Sequence, residues 1–94
     1  MQKREVVVVS AVRTAIGSYG GSLKGHKPSE LAGSLVAEAV KRAGIAPESV
    51  GHSVFGNVIH SEPADMYMGR VAAINGGLSE ETPALTLNRL CGSG

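Results

Sequence analysis

Residues 5–12, Glu5-Val6-Val7-Val8-Val9-Ser10-Ala11-Val12, constrain the fold more than any other stretch. The run is rich in β-branched side chains, which fit a pleated surface, and it does not alternate polar with apolar residues. An antiparallel strand with one wet face would alternate. A continuous apolar run predicts a strand covered on both faces, as in a parallel sheet. Parallel strands need long crossover connections, usually helices. The expectation is therefore an α/β chain.

The rest of the chain keeps to that alternation. Residues 13–27 carry Gly17, Gly20, Gly21 and Gly25 and read as a long loop. Their spacing fits neither phosphate-binding glycine motif, so they serve turns and close backbone approach. Pro28 opens a helix at the position where its missing N–H does no harm. Glu30 in the first turn and Lys41 and Arg42 in the last complement the helix dipole. Leu31, Leu35, Val36, Ala39, Val40 and Ala43 fall at helical spacing, and Gly44 is a fitting stop. Ala46-Pro47-Glu48-Ser49 makes a turn. Residues 52–59 form a second strand, with Gly56 marking a close approach. After the loop His60-Ser61-Glu62-Pro63-Ala64, Asp65 caps a second helix that runs to about Asn75 and stops at Gly76-Gly77. Met66, Val71, Ala73 and Ile74 are its core candidates. Met66 and Met68 read as gap-filling methionines rather than a substrate-facing pair. A third strand covers residues 83–88. The order is β-α-β-α-β, for which right-handed crossovers are close to obligatory.

The third strand delivers the only cysteine, Cys91, followed by Gly92-Ser93-Gly94. Two readings compete. A lone cysteine is commonly a small buried hydrophobe, and such thiols are inert. Against that, Cys91 lies past a strand end, where ligand sites of α/β sheets collect. Small residues leave its sulfur uncrowded. A helix starting near Gly92 would aim free N–H groups at it, and Arg89 adds a positive charge nearby; both favour thiolate. An unperturbed thiol ionises at about pH 8.5, so an acyl-accepting cysteine needs such help.

Five segments together resemble the amino-terminal part of the thiolases, the acetyl-CoA acetyltransferases and 3-ketoacyl-CoA thiolases. They are Val9-Ser10-Ala11-Val12-Arg13-Thr14-Ala15-Ile16-Gly17, Gly20-Gly21-Ser22-Leu23, Phe55-Gly56-Asn57-Val58, Gly69-Arg70-Val71-Ala72-Ala73 and Asn88-Arg89-Leu90-Cys91-Gly92-Ser93-Gly94. Residues 65–70 look most like the bacterial β-ketothiolases. The resemblance implies a mixed five-stranded sheet covered by helices, of which residues 1–94 supply a partial amino-terminal domain ending just after the nucleophile. It implies that Cys91 is the acyl-thioester nucleophile, that coenzyme A is substrate or product rather than cofactor, and that subunits assemble as dimers or tetramers. The family's activating histidine, second cysteine and Asn-His pair lie in later motifs not represented in this sequence. His26, His52 and His60 match none of them.

Charge narrows the partners. The net charge is +1, which argues against nucleic acid or acidic membranes as bulk-charge partners. Charged residues make up 18% of the chain, below the usual quarter or so, which hints at surface meant to be covered. One cysteine and three dispersed histidines lack paired metal-ligand spacing. The lone thiol and the lack of a signal or transit pattern predict a cytoplasmic protein. Two function classes remain. One is acyl transfer between thioesters through an acyl-cysteine. The other is a truncated, non-enzymatic binding or dimerisation module. A β-ketoacyl synthase, which shares the fold and the cysteine, fits the flanking motifs less well.

Overall fold

A computed structural model describes residues 2–94. Helix α1 spans Pro28–Ala43, strand β1 Ser53–Gly56, helix α2 Met68–Asn75 and strand β2 Ala84–Leu87. Short 3₁₀ turns lie at Pro47–Ser49, Pro63–Tyr67 and Leu90–Gly92. The order is α/β, and α1 has the predicted ends. Pro28 stands in its first turn, and Gly44 closes it in the left-handed region (φ 68°), its N–H directed at the carbonyls of Val40 and Lys41.

The first strand is not formed. Residues 5–12 pair with no strand among the described residues. Val6 and Val8 are 91% and 85% exposed, far from the two-sided burial expected of them. A strand exists only through a neighbour's N–H and C=O groups, and the one ladder among the described residues joins β1 to β2. The segment is tied down at Ser10, whose hydroxyl donates to the Ala39 carbonyl at 2.9 Å. There, Val9 and Ser10 border an apolar hollow of about 270 Å³ with Val36, Ala39 and Phe55.

The core sits where the helices cross over the sheet. It consists of Ala32, Met68 and Ala72, with Val36 and Phe55 packed against them. Small residues set the helix spacing: a Cβ on Gly33 would stand 2.8 Å from the Cβ of Asn75, and one on Gly76 only 2.5 Å from the Cβ of Val36. The most buried stripe of α1 is thus Ser29, Ala32 and Gly33, while the predicted larger residues beside it are half-buried. In the second helical region the core position belongs to Met68. Met66 is 54% and Ile74 40% exposed, contrary to expectation. The 3₁₀ turn through Tyr67 explains the change, since three residues per turn rather than 3.6 shift the phase of everything after it.

Strands β1 and β2 run parallel with Ser53 opposite Ala84 and Phe55 opposite Thr86. These four share the face under α2, because alternate residues point the same way. Two of them are polar, and both hold Gly69. The Ser53 hydroxyl donates to the Gly69 carbonyl at 2.8 Å, and the Gly69 N–H donates to the Thr86 hydroxyl oxygen at 2.8 Å. A side chain at this position would not fit: its Cβ would lie 2.7 Å from the Leu85 carbonyl oxygen. Helix α2 is thereby locked at its first turn to both strands.

Candidate active site around Cys91

The pairing of the strands continues beyond the sheet and fixes the chain that carries the thiol. The Asn57 N–H donates to the Leu87 carbonyl at 3.0 Å, and one step further the Asn88 side-chain amide donates to the Val58 carbonyl at 3.2 Å. The other end of the same side chain accepts from the Leu90 N–H at 3.0 Å. Leu90 has φ 50°, the one non-glycine left-handed residue among the described residues. Such a backbone costs about 1–2 kcal/mol for a branched side chain and persists only where neighbours impose it.

Ser93 closes the turn. Its hydroxyl accepts from the Arg89 N–H at 2.8 Å and donates to the Leu90 carbonyl at 2.7 Å. Its own N–H donates to that carbonyl at 3.0 Å. Beneath it, Gly56 at the end of β1 supplies a bare backbone for Ser93 to rest on.

Cys91 lies between these fixed points and is exposed. The burial that the competing reading expects of it is not found. Its N–H has no hydrogen-bond acceptor among the described residues. Cys91 sits in a three-residue 3₁₀ turn, Leu90–Gly92. No hydrogen bond or ion pair among the described residues joins Arg89's side chain to Cys91. His26, His52 and His60 are exposed, and none is hydrogen-bonded to the thiol. A hollow of about 640 Å³ lined by residues 11–15 and Arg42 takes no residue from the cysteine turn.

One group that the sequence misplaced bears on the site. Asp65 does not cap α2; it is fully buried one turn earlier, in the 3₁₀ turn. One carboxylate oxygen accepts from the Ser61 N–H (2.7 Å), the Ser61 hydroxyl (2.8 Å) and the Glu62 N–H (3.2 Å). The other has no partner. The Ser61 N–H, above all, holds the carboxyl below its ordinary pKa against the opposing effect of burial. The Asp65 carbonyl accepts from the Asn57 amide at 3.0 Å, so this loop braces the end of β1 on which Ser93 rests. The spacing of Glu62 and Asp65 around Pro63 was the legible signal, a reciprocal capping pattern rather than a single cap.

The sequence family model described as the thiolase N-terminal domain matches residues 6–94. The chain belongs to the thiolase family. Beta-ketothiolase BktB of Cupriavidus necator is 65% identical over 91 residues, which is 97% of this chain and 23% of that relative. The mitochondrial 3-ketoacyl-CoA thiolase of Homo sapiens is 42% identical over 91 residues, again 97% of this chain and 23% of the relative. The fold agrees. The crystal structure of the human mitochondrial enzyme in complex with CoA superposes with a TM-score of 0.87 at 41% identity, over 93% of this chain and 22% of that one. The Bacillus anthracis acetyl-CoA acetyltransferase gives 0.86 at 38% identity, over 94% and 22%. This thiolase segment thus spans less than a quarter of these relatives. Among its described residues no helix is long and apolar enough to cross a membrane.

Proposed function

We propose that residues 1–94 are the nucleophile-bearing part of a thiolase's amino-terminal domain, and that Cys91 accepts the acyl group. The observation that carries this reading is an exposed thiol on a braced turn, its backbone N–H free. The Cys91 thiolate attacks the carbonyl carbon of an acyl-CoA, forming a C–S bond. The electron pair moves to oxygen, and the tetrahedral oxyanion then collapses and expels the CoA thiolate. The Cys91 N–H, the nucleophile's own amide, donates to that oxyanion, a role such amides fill in other acyl-transfer enzymes.

In the second half, acetyl-CoA deprotonated at its α-carbon attacks the acyl-cysteine. 3-Ketoacyl-CoA leaves, and the Cys91 thiolate is restored. Run backwards, the same steps are thiolysis. Acyl-enzyme and acyl-CoA are both thioesters, so neither direction faces a large energy gap. Coenzyme A enters as substrate and product. None of the three histidines lies on the cysteine turn, so the base comes from elsewhere in the protein. Similarity to BktB and to the CoA-bound human enzyme supports the acyl-CoA chemistry. The whole protein, on this reading, is a cytoplasmic homo-oligomer.

The test is acetyl labelling of the intact protein that carries this segment, with acetyl-CoA, followed by peptide mass mapping. One acetyl group on the peptide containing Cys91, lost in Cys91→Ala with the circular dichroism unchanged, is the expected result. An acetyl adduct that persists in Cys91→Ala overturns the assignment. An unlabelled wild type leaves the binding-module reading.

A further inference from the structure

We infer that Ser93 is a positioning residue for this acyl transfer, acting through the peptide that joins Leu90 to Cys91; the inference rests on Cys91 being the nucleophile. That peptide is held from one end. Its carbonyl oxygen, on Leu90, accepts from both the hydroxyl and the N–H of Ser93, at 2.7 and 3.0 Å. In a planar trans peptide the C=O and N–H vectors are antiparallel. Fixing the Leu90 carbonyl toward Ser93 therefore turns the Cys91 N–H to the opposite side, where it has no acceptor among the described residues. That N–H belongs to the attacking residue, so an oxygen on the carbon bonded to Sγ comes within its reach.

Holding this arrangement takes several contacts. Leu90 is in the left-handed region, which Leu does not choose freely. Asn88 fixes its N–H. The Ser93 hydroxyl bridges the Arg89 N–H and the Leu90 carbonyl, spanning the strained residue from both sides. Gly56 sets the depth at which Ser93 lies. A donor aimed before the reaction begins stabilises developing charge without reorganisation, which is the larger part of its worth.

Ser93→Ala tests this in the intact protein. It keeps the Cβ that rests on Gly56 and removes only the hydroxyl. Two rates are compared. Alkylation of Cys91 by iodoacetamide needs the thiolate but no oxyanion donor; acetylation by acetyl-CoA needs both. Acetylation is expected to fall by about tenfold or more, in the range set by a weakened oxyanion donor, with alkylation within about threefold of wild type. An equal fall in both rates, or no fall in acetylation, overturns the inference. Wild-type protein that alkylates at Cys91 but never acetylates there defeats the nucleophile reading itself, a separate result. Should the variant not fold, hydrogen exchange on wild type serves instead. The Cys91 amide is expected to exchange freely before acetylation and more slowly after it, and unchanged exchange overturns the inference.

Discussion

A Cβ on Gly56 would stand 2.8 Å from both the Cβ and the carbonyl oxygen of Ser93. The end of β1 is thus the floor on which the cysteine turn rests, although 33 residues of chain lie between Gly56 and Leu90. Contact this close to a backbone oxygen leaves no room to yield by rotating a side chain. Gly56→Ala is expected to lift the turn, cost about 1–3 kcal/mol of stability, and slow acetylation of Cys91 more than alkylation. Denaturant titration and the two labelling rates check it. A variant as stable and as fast as wild type would show that the contact is slack.

Leu90 offers the opposite kind of change. It is 62% exposed and has φ 50°, so its side chain is only partly buried while its backbone is strained. Asn tolerates this conformation far better. Leu90→Asn is expected to raise stability by up to about 1 kcal/mol and to leave the labelling pattern of Cys91 as it is. The check is the denaturant midpoint, and a lower midpoint would mean that the leucine side chain contributes more than its exposure suggests.

The grip of Ser53 and Thr86 on Gly69 should be measurable as a unit. Ser53→Ala removes the hydroxyl that the Gly69 carbonyl accepts from in addition to its bond within α2, and Thr86→Val leaves the Gly69 N–H without its acceptor, in a buried setting. Each is expected to cost about 1–3 kcal/mol. Because both act on one residue, the double variant should lose less than the sum, by about 0.5 kcal/mol or more. Strict additivity would show that the two strands hold α2 independently.

Acid should weaken the fold through Asp65. Its pKa is lowered in the folded state, chiefly by the Ser61 N–H, relative to an ordinary 3.8. The stabilisation this brings is complete above the unfolded value and is lost as pH falls through the lower folded one. Asp65→Asn removes this dependence, so its denaturant midpoint should vary less with pH below about 4 than that of wild type. Parallel curves for the two proteins in that range would rule Asp65 out as the acid-sensitive group.

Much of this was legible from local pattern. Pro28, Glu30, Lys41, Arg42 and Gly44 specify α1 with chemistry confined to its own ends, and the structure places it there. The third strand was legible because five apolar or β-branched residues precede a polar turn. The motifs around Gly56, Gly69 and Cys91 marked the thiolase family, and the family match covers residues 6–94. The phase of the second helix was not legible, because whether Pro63–Tyr67 winds as 3₁₀ or α depends on the buried Asp65 carboxylate gathering the N–H groups of Ser61 and Glu62.

Sequence alone determined what each segment prefers: where α1 begins and ends, which runs are apolar enough to be strands, and that one sulfur stands past a strand exit among small residues. These are properties of near neighbours in the chain. Tertiary structure alone decided that residues 5–12 go unpaired, that Met68 rather than Met66 enters the core, and that Cys91 is exposed rather than buried. It also decided that Gly56 and Ser93 meet. Each of these depends on hydrogen-bond partners and contact surfaces supplied from far along the chain, which no local pattern can specify.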